Sequence, residues 1–232
     1  MTPVSPQLTI QAFGAESERL AEVAEGADDA AFGRLSPCVP WTAAELLYHV
    51  QMTMGRLQVM LAEPEPGGAG LVAAAGYYRG DQRFSTAVND DRIQSAQRGA
   101  AALPGAAARA SDFRQVRNLA WALLQAAAPE RVVRTRHGDR MVLAEFTRTR
   151  VLELAVHGLD LAAALDRQPW LTGPAAQVTE ELLLPAPDAA RLRDAAGWSR
   201  LTLIAKLTGR IPATAAETDH IEKLGTRRLA LS

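Results

Sequence analysis

Apolar residues recur at three- and four-residue intervals along most of this chain and β-branched runs are scarce, so the pattern predicts a mainly α protein. A first helix is expected from about Leu8 to Glu25, where Leu8, Phe13, Leu20 and Val23 form a stripe that ends at Gly26. The second helix has the best-marked start. Thr42 and Glu45 supply an S/T-x-x-E capping box, and Trp41 and Leu46 are placed as a hydrophobic staple. Leu46, Leu47, Val50, Met54, Leu57 and Leu61 then follow as one apolar face until Pro64 and Pro66. A third helix is read from about Ser111 to Ala128, capped by Ser111 or Asp112, with Phe113, Val116, Ala120, Leu123 and Leu124 inward. A fourth runs from about Leu143 to Asp166 before Pro169, with Phe146, Val151, Leu154, Leu161 and Leu165 as core. Between the last two, Arg131 to Leu143 alternates enough around His137-Gly138-Asp139 to be a short hairpin or an extended crossing.

The remaining segments are less regular. Val72 to Val88 carries short helical signals and a polar cluster from Tyr77 to Arg83, a loop that could face a ligand. After Gly173-Pro174, the segments Ala175 to Leu184 and Leu192 to Gly209 are expected to pack back on the bundle. The division this suggests is a bundle over 1–170 and a C-terminal extension over 171–232.

Two polar residues interrupt the fourth helix where its other residues are apolar. Glu153 and His157 are four apart, so they share one face, and Leu152, Leu154, Val156, Leu159 and Leu161 surround them. His49 is the matching oddity on the second helix, beside Leu46, Leu47, Val50 and Met54. Buried polar groups need partners, and two imidazoles with one carboxylate can bind a metal while leaving positions open. Spacing alone equally describes a hydrogen-bonded core pair, because a four-residue Glu-to-His interval arises by chance in many helices.

Composition narrows the function classes. With 25 basic against 26 acidic residues the net charge is −1, which offers no field to concentrate a polyanion, so nucleic acid is not an expected partner. No apolar run reaches the roughly 20 residues needed to span a bilayer. The lone Cys38 has no second cysteine to pair with, and the opening Met-Thr-Pro-Val-Ser-Pro lacks a charged-then-apolar leader pattern; together these suggest a cytoplasmic protein. No recognisable His or Asp partner marks Cys38 as a nucleophile, so it is expected to be structural. His137 and His220 read as exposed, and the four tryptophans as packing residues.

The block from Cys38 to His49, with Pro40, Trp41, Thr42 and Glu45 inside it, and the block Arg150-x-x-Glu153-x-x-x-His157-Gly-x-Asp160 together resemble the mycothiol-dependent maleylpyruvate isomerase family of DinB-like four-helix bundles. The resemblance covers about residues 8 to 170. It implies a DinB-like bundle with short extra helices in which His49, Glu153 and His157 hold a divalent metal, zinc first, with Fe2+ or Ni2+ as alternatives. It also implies mycothiol, a low-molecular-weight thiol, as cosubstrate acting on a small electrophile. The family's isomerase carries a larger appended domain than the roughly 60 residues after position 170 would build, which ranks thiol transfer ahead of cis-trans isomerisation. A non-catalytic metal- or thiol-binding bundle is the third reading. Arg83 and Asp160 are candidates near the chemistry, the latter as a hydrogen-bond partner of a ligand, and Arg79, Arg150 and Arg210 are candidate clamps for an acidic cosubstrate. A monomer or a homodimer fits equally.

Overall fold

The computed structural model describes residues 4–79, 81 and 85–223. In chain order its helices are α1 (Pro6–Glu25), α2 (Asp29–Phe32), α3 (Ala43–Ala62), α4 (Ala74–Tyr77), α5 (Thr86–Ala101) and α6 (Gly105–Ala126). A hairpin, β1 (Val132–Arg134) and β2 (Arg140–Val142), leads into α7 (Leu143–Ala164), and α8 (Gly173–Leu183), α9 (Ala186–Ala196), α10 (Arg200–Leu207) and α11 (Ala215–Lys223) follow. The long helices α1, α3, α6 and α7 make the bundle, α1 and α3 each packing on both α6 and α7. The fold is thus mainly α, a helical bundle with short accessory helices and one small hairpin.

The capping box of α3 is present as read: the Thr42 hydroxyl accepts from the Glu45 amide and the Glu45 carboxylate accepts from the Thr42 amide. These two bonds satisfy amides that the first helical turn otherwise leaves unpaired. The same residue ends the preceding loop, since Leu35 bridges to Thr42 and the Ser36 amide donates to the Trp41 carbonyl at 2.8 Å. One stretch of chain therefore fixes both the loop that carries Cys38 and the helix that carries His49.

The start of α7 uses no side-chain cap. The hairpin pairs Val132 with Val142, Val133 with Met141 and Arg134 with Arg140, and Gly138 takes the positive φ of its turn. Directly after β2, the amides of Leu143 and Ala144 donate to the carbonyls of Arg131 and Pro129 at 2.8 and 3.0 Å. The strand entering the hairpin thus replaces a polar capping residue. Helix α7 is buried around almost its whole circumference, with α1, α3 and α8 packed against it. Every polar side chain on its inner turns must therefore find a partner inside the protein.

Three boundaries differ from the pattern reading. Helix α6 begins at Gly105, after Pro104, so Ser111 and Asp112 lie inside it; Asp112 accepts a hydrogen bond from the Gln51 side chain. The Ala106 to Ala108 run, a strong helix former, carries the helix back past the residues that looked like a cap. Helix α5 has no counterpart in the pattern because it is polar almost all round, burying only Ala96 and Ala100. It packs on α3, and a β-carbon at Gly99 would stand 1.9 Å from the Tyr48 ring, so the contact depends on glycine. Finally, Gly197 with φ +66° divides the segment after Leu192 into the end of α9 and a separate α10.

Candidate metal centre

Helices α3 and α7 bring His49, Glu153 and His157 together as buried residues with one donor atom each in a single cluster, an arrangement that could hold a metal ion. The Oε2 atom of Glu153 lies 3.3 Å from His157 Nε2 and 3.9 Å from His49 Nε2. The two imidazoles meet edge to face, with ring centres 5.2 Å apart, and Trp41 stacks on the His49 ring at 4.6 Å. The four-residue spacing on α7 places Glu153 directly one turn before His157.

The electrostatics suit ligation. Burial, reinforced by the charge of His157, holds His49 well below the ordinary imidazole range, so it is neutral and has a lone pair to give. Burial on its own raises the Glu153 carboxyl, but the hydrogen bond from His157 and the charges of Arg150 and His157 outweigh it, and Glu153 stays ionised. The Tyr78 hydroxyl sits 2.9 Å from the Thr149 carbonyl and 3.2 Å from Glu153 Oε1, donating to this pair and orienting the carboxylate. His49 Nδ1 is buried with no hydrogen-bond partner among the described residues, which leaves that ring unsatisfied on the protein side. The donor types and their convergence fit a divalent cation, whose binding would displace the proton that His157 holds toward Glu153.

Behind His157 lies a second cluster. Its Nδ1 donates to Asp160 Oδ2 at 3.0 Å, and Asp160 is in turn gripped by Arg210, Nε to Oδ1 at 3.0 Å and Nη2 to Oδ2 at 2.8 Å. The Cys38 thiol donates to the same Oδ2 at 3.1 Å, with its sulfur 3.8 Å from both His157 Nδ1 and Arg210 Nη2. Burial opposes ionisation of Asp160, yet the bonds from His157 and Arg210 bring its pKa down to about 2. The bonds from Asp160, Cys38 and Glu153 overcome the burial of His157 and raise it well above the imidazole range. Imidazole that donates through Nδ1 to a carboxylate keeps Nε2 aimed at the front cluster. The sequence marks no His or Asp partner for Cys38, and the structure supplies both. Both partners lie more than a hundred residues away along the chain and reach it only through the fold.

The candidate clamps separate. Arg210 is already committed to Asp160 and the Thr208 carbonyl. Arg150 is buried, with its guanidinium over Phe146 at 4.7 Å and over Tyr77 at 5.4 Å, where it acts on Glu153 by charge and not as a ligand clamp. Arg79 is ion-paired at the surface with Asp81 and Asp139. Arg83 lies outside the described residues. His137, expected to be exposed, is half-buried, accepts from Arg136 and packs 5.6 Å from Tyr77, whereas His220 is exposed. Tyr77 and Tyr78, read as part of a ligand-facing loop, are both buried against α7.

Fold and site together describe a DinB-like four-helix bundle carrying a buried two-His, one-carboxylate cluster. Residues 13–162 match the family described as the mycothiol maleylpyruvate isomerase N-terminal domain, and the chain belongs to that family. Neither a curated protein nor a solved structure matches it. Among the described residues no helix is long and apolar enough to cross a membrane.

Proposed function

We propose that the protein is an enzyme that transfers the sulfur of mycothiol, or a related low-molecular-weight thiol, to a small electrophile, with His49, Glu153 and His157 holding one divalent ion, zinc first. The observation that carries this reading is the convergence of those three buried side chains on one point, 3.3 and 3.9 Å from Glu153 Oε2 to the two imidazoles. When bound, such an ion supplies positive charge that lets an incoming thiol ionise near neutral pH.

The chain's own residues prepare that step. Burial keeps His49 neutral, and Trp41 stacked on it excludes water from one side. Tyr78 and Arg150 hold the Glu153 carboxylate ionised and oriented from behind. Arg210, outside the matched residues 13–162, fixes Asp160 and through it the ring of His157, so the proposed extension over 171–232 takes part in building the centre. A thiolate ionised at this site would attack the electrophile, its sulfur forming the new bond while the electrophile's own leaving group departs with the electron pair of the bond that breaks.

The family's description favours a second outcome, isomerisation, in which the thiolate adds to a double bond, rotation follows, and the thiolate leaves again. Metal analysis followed by turnover assays with mycothiol and a panel of electrophiles tests both. The wild type is expected to hold about one zinc per chain and His157→Ala close to none, with turnover falling by about a thousandfold or more. A thiol adduct identifies transfer, and a rearranged product with the thiol regenerated identifies isomerisation. Wild-type protein free of metal under non-chelating conditions overturns the reading.

A further inference from the structure

A pocket of about 550 Å³ opens on the Nδ1 side of His157, between α7, the loop that precedes α3, and α10 with the turn that follows it. This volume is in the range of small-molecule sites. Its walls include Val39, Leu159, Ala163, Leu201 and Ile211, and its most deeply buried polar lining residues are Asp160 and Thr208, with the buried Cys38 beside them. Val39 and Ile211 are also exposed to solvent, 79% and 38%, so the apolar surface continues outward to the entrance.

The charges define the ligand. Asp160 and Arg210 are the only charged residues lining the pocket among those described, and they grip each other through two hydrogen bonds. Arg210 also donates to the Thr208 carbonyl, so its guanidinium is spent on the protein. A charged ligand would find no counter-charge free to meet it, whereas apolar groups would cover Val39, Leu159 and Leu201 at no electrostatic cost.

From this geometry we infer that the pocket is a second small-molecule site, taking a neutral apolar effector that acts on the metal centre from behind His157. The route is short: the ligand touches Asp160 and Arg210, Asp160 holds His157 Nδ1, and the opposite nitrogen of that ring faces Glu153. An occupant that shifts the Asp160–Arg210 pair turns the imidazole, and a turned imidazole binds a cation with altered affinity. The inference rests on the proposed metal reading for its effect, but the pocket itself does not.

The neutral dye N-phenylnaphthylamine, whose fluorescence rises in apolar surroundings, is the probe. Titrated into metal-free full-length protein, it is expected to bind saturably with one dye per chain. Ala163→Trp fills the mouth and Val39→Asp places a charge on the rim; both positions are exposed, so both variants should fold, and each should weaken the dye by about tenfold or more. Zinc affinity, read by competition with a chromophoric chelator, should change about fivefold or more when the dye is present in the wild type and not in Ala163→Trp. Absence of saturable binding, or binding that both variants leave unchanged, overturns the site. Dye binding with an unchanged zinc affinity overturns the effector role. Wild type that takes up no zinc overturns the metal reading instead, and the metal-free titration still judges the pocket.

Discussion

The two sides of His157 are built in opposite ways. In front, His49 and Glu153 come from helices whose apolar stripes frame them, and Glu153 is one turn from His157 on the same helix. Behind, Asp160 also lies on α7, but its other partners arrive from a loop 122 residues earlier and a turn 50 residues later. The front cluster gathers electron-pair donors around one cation-sized gap, whereas the back cluster is already neutralised by a guanidinium. The back carboxylate is held by the permanent charge of Arg210, whereas Glu153 Oε2 faces the imidazoles of His157 and His49, whose protons a metal can displace. That difference is the ground on which we propose the metal for the Nε2 side of His157, although Cys38, His157 and Asp160 also have donor atoms close enough together to be considered.

Removing the carboxylate from the back cluster tests this division most strongly. Asp160→Asn keeps the shape, but it removes the negative charge and leaves one acceptor oxygen where His157 and Arg210 now share two. Zinc affinity at the front should fall by about 10- to 100-fold, the usual cost of losing a partner that orients a ligand. Chelator competition measures it. An unchanged affinity would mean that His157 is held by packing alone and that the two sides are independent.

The front side was legible because helical geometry converts a four-residue spacing into proximity, and because an apolar surround makes a polar pair conspicuous. His49 could be matched to it only through the resemblance of two sequence blocks, since periodicity places a residue on a face without saying which face of which helix it meets. Cys38 and Arg210 show the limit. Their contacts with Asp160 depend on how a loop and α10 close over α7, and no local pattern encodes that closure. Helix α5 was missed for a different reason: with only two alanines buried, it carries no apolar stripe for periodicity to detect.

Acid separates the sides again. Asp160 is depressed in the folded chain to about 2 from an ordinary value of 3.8, so its contribution is fully present above that ordinary value and is lost as pH falls through the depressed one. In metal-free protein this should appear as stability falling between about pH 4 and pH 2, by on the order of 2 kcal/mol from this group. Asp160→Asn should flatten that part of the profile when urea unfolding is followed across the range. His157 has the opposite sign, its contribution being present below the ordinary imidazole value and lost as pH rises through its raised one. An acid limb as steep in Asp160→Asn as in the wild type would place the stabilising carboxylate elsewhere.

The smallest expected effect isolates the scaffold that both sides share. Thr42 ends the loop carrying Cys38 and caps the helix carrying His49, so it touches each cluster only through backbone position. Thr42→Ala deletes the hydroxyl that accepts from the Glu45 amide and should cost about 1 kcal/mol, a fall in Tm of roughly 2–4 °C for a chain of this size. Zinc stoichiometry should stay at that of the wild type, because the six residues between the cap and His49 are nearly two turns of helix packed against the bundle, with Leu46 and Leu47 anchoring them. Calorimetry and metal analysis on the same sample decide it. Loss of zinc with so small a loss of stability would show that the cap sets the height of His49 along α3 and that the front cluster tolerates less displacement than its donor distances suggest.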